Sequence, residues 1–472
     1  MNLNREILRL AVPSILANIT VPLVGMVDIA VVGHLGAPDG LSAAALIGGI
    51  SIGTMLFDLL YWNFAFLRAG TAGLTAQAYG RGDPTGGILR RALRIALLSG
   101  LGLIALQWVV VWLSFLVVDC SPEVQELATR YFHIRIWAAP ATLSLFAFKG
   151  WFIGEQDSVR PMTADLLVNL LNILLSLGLG FGCTIGSLTL LPALGFSGVA
   201  LGTVIAQWTG LAYCFIAARR RYTFSLLRNS LNHSTFRIFL YTKQPKEKSQ
   251  ESCESIDYNT SFFSLNRDLF LRSVGMITVY IGFTVLSARF GDLMLAVSTI
   301  LMKLLMIFSY FTDGFAYAGE ALTGRFIGER SADGLRSTVR GTFAWSFGLA
   351  GVFIVLYWLG GIPAFRLMTS DADVVEAGRA FLPWLLLMPI IGCPAFAWDG
   401  IFIGATASKD LRNSTLLCAV GFFGVWFAGI GFMKTPEAAI HLLMGAYFMH
   451  LAIRAGYLTA RRRVISASIS SR

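Results

Sequence analysis

The fold of this chain is decided by residues 8–36, which read LRLAVPSILANITVPLVGMVDIAVVGHLG. About 25 apolar residues in helical conformation are long enough to cross a hydrocarbon core about 30 Å thick. The segment contains one carboxylate, Asp28, and two prolines, Pro13 and Pro22. Each proline removes a backbone donor, so we expect this helix to bend. Burying an ionisable group in a membrane is costly, which predicts a functional role for Asp28, with structural pairing inside a helix bundle as the alternative.

The composition excludes a soluble protein. The chain has 472 residues, of which 56% are hydrophobic and 14% charged, and its mean hydropathy is +0.67. Its net charge of +10 comes from basic residues in short runs beside hydrophobic segments, which indicates membrane topology rather than a nucleic-acid partner. The first segment carries no small-residue cleavage site, so we expect no removable signal peptide.

Hydrophobic runs predict twelve transmembrane helices and thus an all-α membrane protein. Most of the 37 Lys and Arg residues lie in or next to predicted inner segments, and outer loops hold only Arg289, Arg366 and Lys434. This bias predicts a multi-pass protein of a bacterial inner (cytoplasmic) membrane with both termini in the cytoplasm. The predicted helices span residues 8–33, 42–68, 88–113, 124–151, 161–182, 196–218, 269–288, 293–324, 337–360, 376–403, 412–432 and 436–458.

A long polar stretch divides the chain into halves. Residues 222–267 are rich in charge and Ser, which predicts a flexible cytoplasmic linker, either a spacer or a regulatory element. We therefore expect a six-helix lobe over 1–221, a second over 268–460, and a basic cytoplasmic tail over 461–472.

The two halves resemble each other in sequence. GLTAQAYGRGD (73–83) matches ALTGRFIGERS (321–331), and GWFIGEQDSVRP (150–161) matches GIFIGATASKDL (400–411). Repeats in the same orientation predict two lobes related by a pseudo-two-fold axis along the membrane normal, with a cavity between them. This arrangement is typical of a transporter.

The fifth predicted helix presents a polar stripe. Asn169, Asn172 and Ser176 are spaced by three and four residues, so they share one face. They are predicted either to line the same pocket as Asp28 or to bond neighbouring helices. Asp28 itself is expected about 9 Å below the outer surface, counting roughly 1.5 Å per residue, where desolvation would favour the protonated carboxyl.

A second group of acids is expected in the second half of the chain. Asp313 and Glu320 are seven residues apart on the eighth helix, and Asp399 lies on the tenth. These three acids are candidates for ion coupling, with structural pairing to cations such as Lys303 or Arg325 as the alternative.

No cofactor or metal is expected. The sequence has no Walker A, HExxH or Gly-rich nucleotide motif, and its six cysteines are scattered without CxxC spacing, so no metal site is indicated and a Cys120–Cys183 disulfide is only left open. Transport would then use an ion gradient. Abundant aromatic and Met residues would suit a cavity for bulky apolar cations.

Several motifs, taken together and in order, resemble the multidrug and toxic compound extrusion (MATE) transporters, in particular their DinF-like branch. The quoted stretch is followed by FLRAGTAGLTAQAYGRGD (66–83) and GWFIGEQDSVRP, and later by FTDGFAYAGEALTGRFIGE (311–329) and WDGIFIGAT (398–406). The resemblance implies twelve helices in two lobes and export of cationic or amphipathic small molecules in exchange for protons or sodium, within membrane lipid. By position, Asp28 corresponds to the family's proton and substrate site, Pro13 to its bending proline and Asn172 to its fifth-helix Asn.

One residue departs from the family pattern. Many relatives carry an Asp one turn beyond the fifth-helix Asn, where this chain has Ser176. Either Asp28 suffices for coupling, or Asp313, Glu320 and Asp399 take part. The sequence thus predicts a proton-coupled exporter, with sodium as the second choice of ion, and leaves a lipid or lipid-linked glycan flippase as the alternative function.

Overall fold

The computed structural model describes residues 3–35, 43–116, 118, 120–185, 188–229, 258–369 and 372–470. In this part of the chain the structure is helical except for one short β-hairpin. Eleven segments are long and apolar enough to span a membrane, and twelve when one bent helix pair is counted as a single span. The predicted all-α fold and its number of spans are confirmed.

The first six spans contain nine helices, because three of the spans are broken. The second span breaks at Phe64, the third bends by 62° at Leu106, and the fourth contains a 3₁₀ turn at Ile136–Ala138. The helices are α1 (Leu3–His34), α2 (Ala43–Asn63), α3 (Ala65–Arg81), α4 (Gly86–Ala105), α5 (Gln107–Phe115), α6 (Pro122–Arg135), α7 (Ala139–Gly154), α8 (Val159–Phe181) and α9 (Gly195–Asn229).

The second half repeats this order with longer, less broken helices. They are α10 (Tyr258–Ser287), α11 (Asp292–Gly328), α12 (Ala332–Met368), α13 (Ala372–Arg379), α14 (Leu382–Gly404), α15 (Ser408–Gly429), α16 (Pro436–Ala460) and α17 (Arg463–Ser470). Strands β1 (Cys183–Ile185) and β2 (Leu188–Leu191) pair antiparallel between α8 and α9. Cys183 and Cys120 are both free thiols, so the disulfide left open is absent.

The two ends of the predicted linker are helical. Helix α9 continues to Asn229 and α10 begins at Tyr258, both inside the range 222–267 that the polar composition marked as a linker. Residues 230–257 lie outside the described part of the chain. A helix that extends beyond the membrane keeps its backbone hydrogen bonds in water. The polarity of the sequence alone therefore does not locate the end of such a helix.

Helix α1 is continuous through both of its prolines. Pro13 and Pro22 cannot donate to the carbonyls of Arg9 and Asn18 one turn back. Hydroxyls near the prolines bond neighbouring carbonyls instead: Ser14 Oγ donates to that of Leu10 at 3.0 Å and Thr20 Oγ1 to that of Ala17 at 2.7 Å. The bend expected from these prolines stays a prediction.

Repeated glycines pack the helices at one end of the bundle. We call this the near end: α1 begins there and α3, α7 and α11 end there. Within each half, Gly154 lies against the carbonyl of Ala72 on α3, and Gly404 lies against that of Glu320 on α11. A side chain at either position would overlap that carbonyl, so glycine is required for this contact.

Matching turns end the repeated helices at the near end. Gly82 and Arg330, and likewise Gln156 and Thr406, occupy equivalent positions in the two halves, and all four have positive φ, from 55° to 78°. At each turn the residue's own N–H bonds a carbonyl three residues back. The sequence repeats therefore become structural repeats, as the two-lobe prediction requires.

Candidate functional site

The far end of the bundle, where α1 ends, holds the first candidate site. Asp28 lies on the last third of α1 and is only 8% exposed. Ser176 Oγ on α8 donates to Asp28 Oδ1 at 2.8 Å and lies 3.1 Å from Asn172 Oδ1. Asn172 Nδ2 in turn donates to Thr203 Oγ1 on α9 at 3.0 Å. Ser176 therefore contacts Asp28 directly, and Asn172 is linked to Asp28 through Ser176.

Asp28 has no cationic partner within ion-pair distance among the described residues. Its carboxylate bonds a neutral hydroxyl, and the bonds beyond Ser176 are also neutral. A buried carboxylate without a fixed counter-ion can accept a proton or a cation from outside the protein. This arrangement is suited to the exchange of a proton for a cation at Asp28.

Asn169 of the predicted polar stripe, and Asp165 one turn before it on α8, lie elsewhere. Asn169 Nδ2 donates to Thr20 Oγ1 on α1 at 2.6 Å, two turns from Ser176 along α8. Asp165 forms an ion pair with Lys149 on α7. Asn169 therefore ties α8 to α1 beside Pro22, and Asp165 belongs to a different part of the protein from Asp28.

A cavity of about 220 Å³ lies in the near half of the bundle. Asp28 is ten residues from Asn18, which lines the cavity, so the two are separated by roughly 15 Å along α1. Twelve of its lining residues belong to the first half of the chain and one, Tyr317, belongs to the second. The lining residues are Ser14, Ala17, Asn18, Ala65, Arg68, Phe146, Lys149, Ile153, Ser158, Pro161, Met162, Asp165 and Tyr317.

The second-half acids come together with three arginines. Asp399 on α14 accepts from Arg272 at 2.8 Å and pairs with Arg454 at 2.6 Å, and Arg454 is 1% exposed. Glu320 on α11 pairs with Arg68 of α3 at 3.1 Å, which links the two halves of the chain. Paired acids of this kind are held by their partners rather than left free for a ligand.

Asp313 is the exception in this second group. It lies within electrostatic range of Arg68, Arg272, Arg454 and Asp399, but no ion pair to it is formed within the described residues. The partners suggested by the sequence, Lys303 and Arg325, are wrong: Arg325 pairs with Glu6 at 3.3 Å and with Glu329 at 2.8 Å. Arg325 lies near the end of α11, where it contacts the start of α1 and is away from the three acids.

Four arginines inside the spans were missed as site residues. Arg68, Arg135, Arg272 and Arg454 all stand within predicted apolar helices. A cation in the middle of a transmembrane helix is as costly as an acid, so the argument that selected Asp28 would have found Arg135. Arg68, Arg272 and Arg454 lie near the ends of the predicted spans, where the sequence gives no such signal. Asp58 on α2, which lies within electrostatic range of Arg135 and Lys303, was also missed.

Comparison with known proteins gives the family. The MatE family model matches residues 13–177 and 269–426. The chain is 33% identical to DNA damage-inducible protein F of Escherichia coli strain K12, over 97% of this chain and 91% of the relative. It is 23% identical to a probable multidrug resistance protein NorM of Photorhabdus laumondii, over 90% of this chain and 86% of that protein.

Solved structures agree in fold. A MOP superfamily transporter from Pyrococcus furiosus superimposes with a TM-score of 0.78 at 18% identity, covering 100% of this chain and 98% of that one. A MATE structure in the bent conformation superimposes with a TM-score of 0.79 at 18% identity, with the same coverage. The chain therefore belongs to the MATE family of multi-pass membrane transporters, which are not enzymes, and within it to the DinF-like branch.

Proposed function

We propose that this protein is a secondary active antiporter that exports organic cations or amphipathic compounds in exchange for protons, rather than sodium. Its place is a bacterial inner membrane, with the near end and both termini in the cytoplasm. The proposal rests on one observation above the others: Asp28 is a buried carboxylate within a membrane span whose only described hydrogen-bond partner is a neutral hydroxyl. The name given to the NorM relative, a multidrug resistance protein, supports the same class of substrate.

The exchange follows from the charge of Asp28. An ionised Asp28 attracts a cationic substrate, and a proton arriving from the outer side neutralises the carboxylate and weakens that attraction. The substrate then leaves outward. Because Ser176 contributes no second carboxylate, one proton at Asp28 is enough to neutralise this site.

Movement of α1 would complete the release. Asn18 Nδ2 donates to the carbonyl of Tyr310 on α11 at 3.2 Å, and Thr20 accepts from Asn169 on α8, so the stretch before Pro22 is held on two sides. A bend that moves this stretch of α1 would strain these two bonds. We infer that the straight helix keeps the pocket open and the bent helix reduces it.

The wider arrangement follows the same proposal. The six-helix lobes are residues 1–221 and 268–460, with the linker 222–267 and the tail 461–472 on the cytoplasmic side. Coupling rests on Asp28, since arginines hold Glu320 and Asp399, and among the described residues Asp313 is the member of the second group that is left to take part. The near-half cavity lies on the route from the cytoplasm to Asp28.

The test is export from proteoliposomes that carry a pH gradient, with tetraphenylphosphonium as the probe cation. Asp28→Asn removes the charge but keeps the shape, so we expect export to fall at least tenfold. Asp333→Asn, whose side chain is 98% exposed, is the matched control and should export like the wild type. Export by Asp28→Asn at the wild-type rate would refute the role of Asp28, and export driven by a sodium gradient alone would refute proton coupling.

A further inference from the structure

The near-half cavity is lined by two cations and one carboxylate. Arg68 on α3 and Lys149 on α7 are the cations, and Asp165 on α8 is the carboxylate. Ser158, directly before α8, adds a hydroxyl, and apolar side chains such as that of Phe146 form much of the remaining wall. An apolar pocket with a few polar groups is the usual form of a small-molecule site.

Arg68 has hydrogen-bond donors that no other residue uses. Its Nη1 bonds Glu320 at 3.1 Å, and Glu320 is fully buried and does not line the cavity. Its guanidinium lies over the ring of Tyr317, 4.3 Å from the centroid. Within the described residues, Nε and Nη2 of Arg68 form no hydrogen bond. Glu320 and Tyr317 therefore hold the guanidinium in place while two of its nitrogens stay available to a ligand.

Lys149 and Ser158 also have unused donors. Lys149 Nζ pairs with Asp165, which takes up one of its three N–H groups. Ser158 is 2% exposed, and its hydroxyl has no hydrogen-bond partner in the part of the chain that the structure describes. Since nearly all buried polar groups are hydrogen-bonded, this hydroxyl indicates a bonding partner that comes from inside the cavity.

The charges at the cavity wall favour a negative ligand. Arg68 and Lys149 both line the cavity, but of their two counter-ions only Asp165 does. A carboxylate ligand would accept charge-assisted hydrogen bonds from both cations, and the planar guanidinium matches the geometry of a carboxylate. A cationic ligand would instead be repelled by both side chains.

We propose that this cavity is a binding site for the carboxylate of a small apolar organic acid, held by Arg68, Lys149 and Ser158. Its volume of about 220 Å³ is below the range of about 300–1,000 Å³ that is usual for drug-sized ligands, so the occupant is small. The site goes beyond the proposed function, because it takes the charge opposite to that attracted by Asp28, which lies roughly 15 Å away along α1.

The first test compares two ligands of nearly the same shape by calorimetric titration of the purified full chain at neutral pH. Naphthoate is an anion, and naphthylmethanol is its neutral counterpart. We expect the wild type to bind naphthoate at least about tenfold more tightly, a difference of about 1.4 kcal/mol. Equal affinity for the two ligands would overturn the proposal.

Variants of opposite charge should move the affinity for naphthoate in opposite directions. Lys149→Gln removes a cation and leaves Asp165 unpaired, so naphthoate should bind about tenfold more weakly. Asp165→Asn removes the acid and releases Lys149, so naphthoate should bind severalfold more tightly. Lys409→Gln, which changes an exposed lysine on α15, is the matched control and should leave the affinity unchanged.

Naphthylmethanol separates loss of charge from loss of shape. It should bind Lys149→Gln and Asp165→Asn as it binds the wild type, because neither variant empties the apolar part of the cavity. Shifts of naphthoate affinity in the same direction for the two variants, or equal shifts for naphthylmethanol, would overturn the proposal.

Two further variants complete the test. Arg68→Gln should also weaken naphthoate binding, but it strands the buried carboxylate of Glu320, so Lys149→Gln and Asp165→Asn decide the matter if this variant does not fold. Asp28→Asn should bind naphthoate like the wild type. A failure of the proposed role of Asp28 would appear in tetraphenylphosphonium export and not in naphthoate binding, so the two failures are distinguishable.

Discussion

The acids of the two halves of the chain are held in opposite ways. Asp28 in the first half bonds a serine hydroxyl, whereas Asp399 in the second half is held by Arg272 and Arg454, and Glu320 by Arg68. Removing one partner of a buried ion pair strands a charge, and removing the charge of an unpaired acid does not. Under the proposed function, Asp28 is the acid that exchanges its counter-ion, whereas Asp399 and Glu320 keep permanent pairs.

Asp399→Asn should produce the largest effect on stability. It leaves two arginines, one of them almost fully buried, without their carboxylate, so we expect a loss of about 3–5 kcal/mol in the free energy of unfolding. Thermal unfolding of the detergent-solubilised protein measures it. Adding Arg454→Met should recover part of the loss, and a single variant as stable as the wild type would contradict the comparison.

Glu320→Gln should cost less. The bond to Arg68 loses its charge, but the guanidinium keeps its position over the ring of Tyr317, 4.3 Å from the centroid. We expect a loss of about 1.5–3 kcal/mol, typical of a hydrogen bond to a charged group. The same unfolding assay applies, and a loss as large as that of Asp399→Asn would show that the number of arginine partners does not set the cost.

Ser176→Ala should alter binding more than stability. It removes the hydroxyl that donates to Asp28 and so disfavours the charged carboxylate, which should weaken tetraphenylphosphonium binding about tenfold. Thr209→Ala, which removes an exposed hydroxyl on α9, is the control. Unchanged binding would mean that Ser176 only fills space beside Asp28.

Asp28→Asn should have the smallest effect on stability. An amide oxygen can still accept from Ser176, and no described cation is left unpaired, so we expect a change of about 0.5 kcal/mol or less. The contrast with Asp399→Asn is the sharpest form of the comparison, since both variants make the same chemical change. Equal losses of unfolding free energy in Asp28→Asn and Asp399→Asn would contradict this comparison.

The sequence predicts the architecture well because the membrane imposes simple rules. Hydropathy gave the spans, and the repeated glycine motifs gave the two lobes. The break at Phe64 and the bend at Leu106 were missed, since neither is at a proline. The hairpin at 183–191 was missed as well, because two strands of three and four residues are too short to show a periodicity.

The candidate site could be predicted in part. Asn172 and Ser176 share a helix face, and helical spacing alone brings them together, with Ser176 bonded to Asp28. Arg272 lies 127 residues from Asp399 in sequence, so tertiary packing alone could join them. Local spacing therefore identified the neighbours of Asp28 along α8 but not the arginines that hold the second-half acids.

The glycine contacts across the two halves have one more consequence. A side chain at Gly80 would overlap the carbonyl of Arg325, and one at Gly328 would overlap that of Gln77. Gly80 and Gly328 are equivalent positions in the two halves, and so are Gln77 and Arg325. Each half therefore uses the same surface patch to contact the other half. This reciprocity defines an isologous interface, the kind that joins the identical subunits of a two-fold dimer. The chain thus packs as a covalently joined dimer of two half-size proteins.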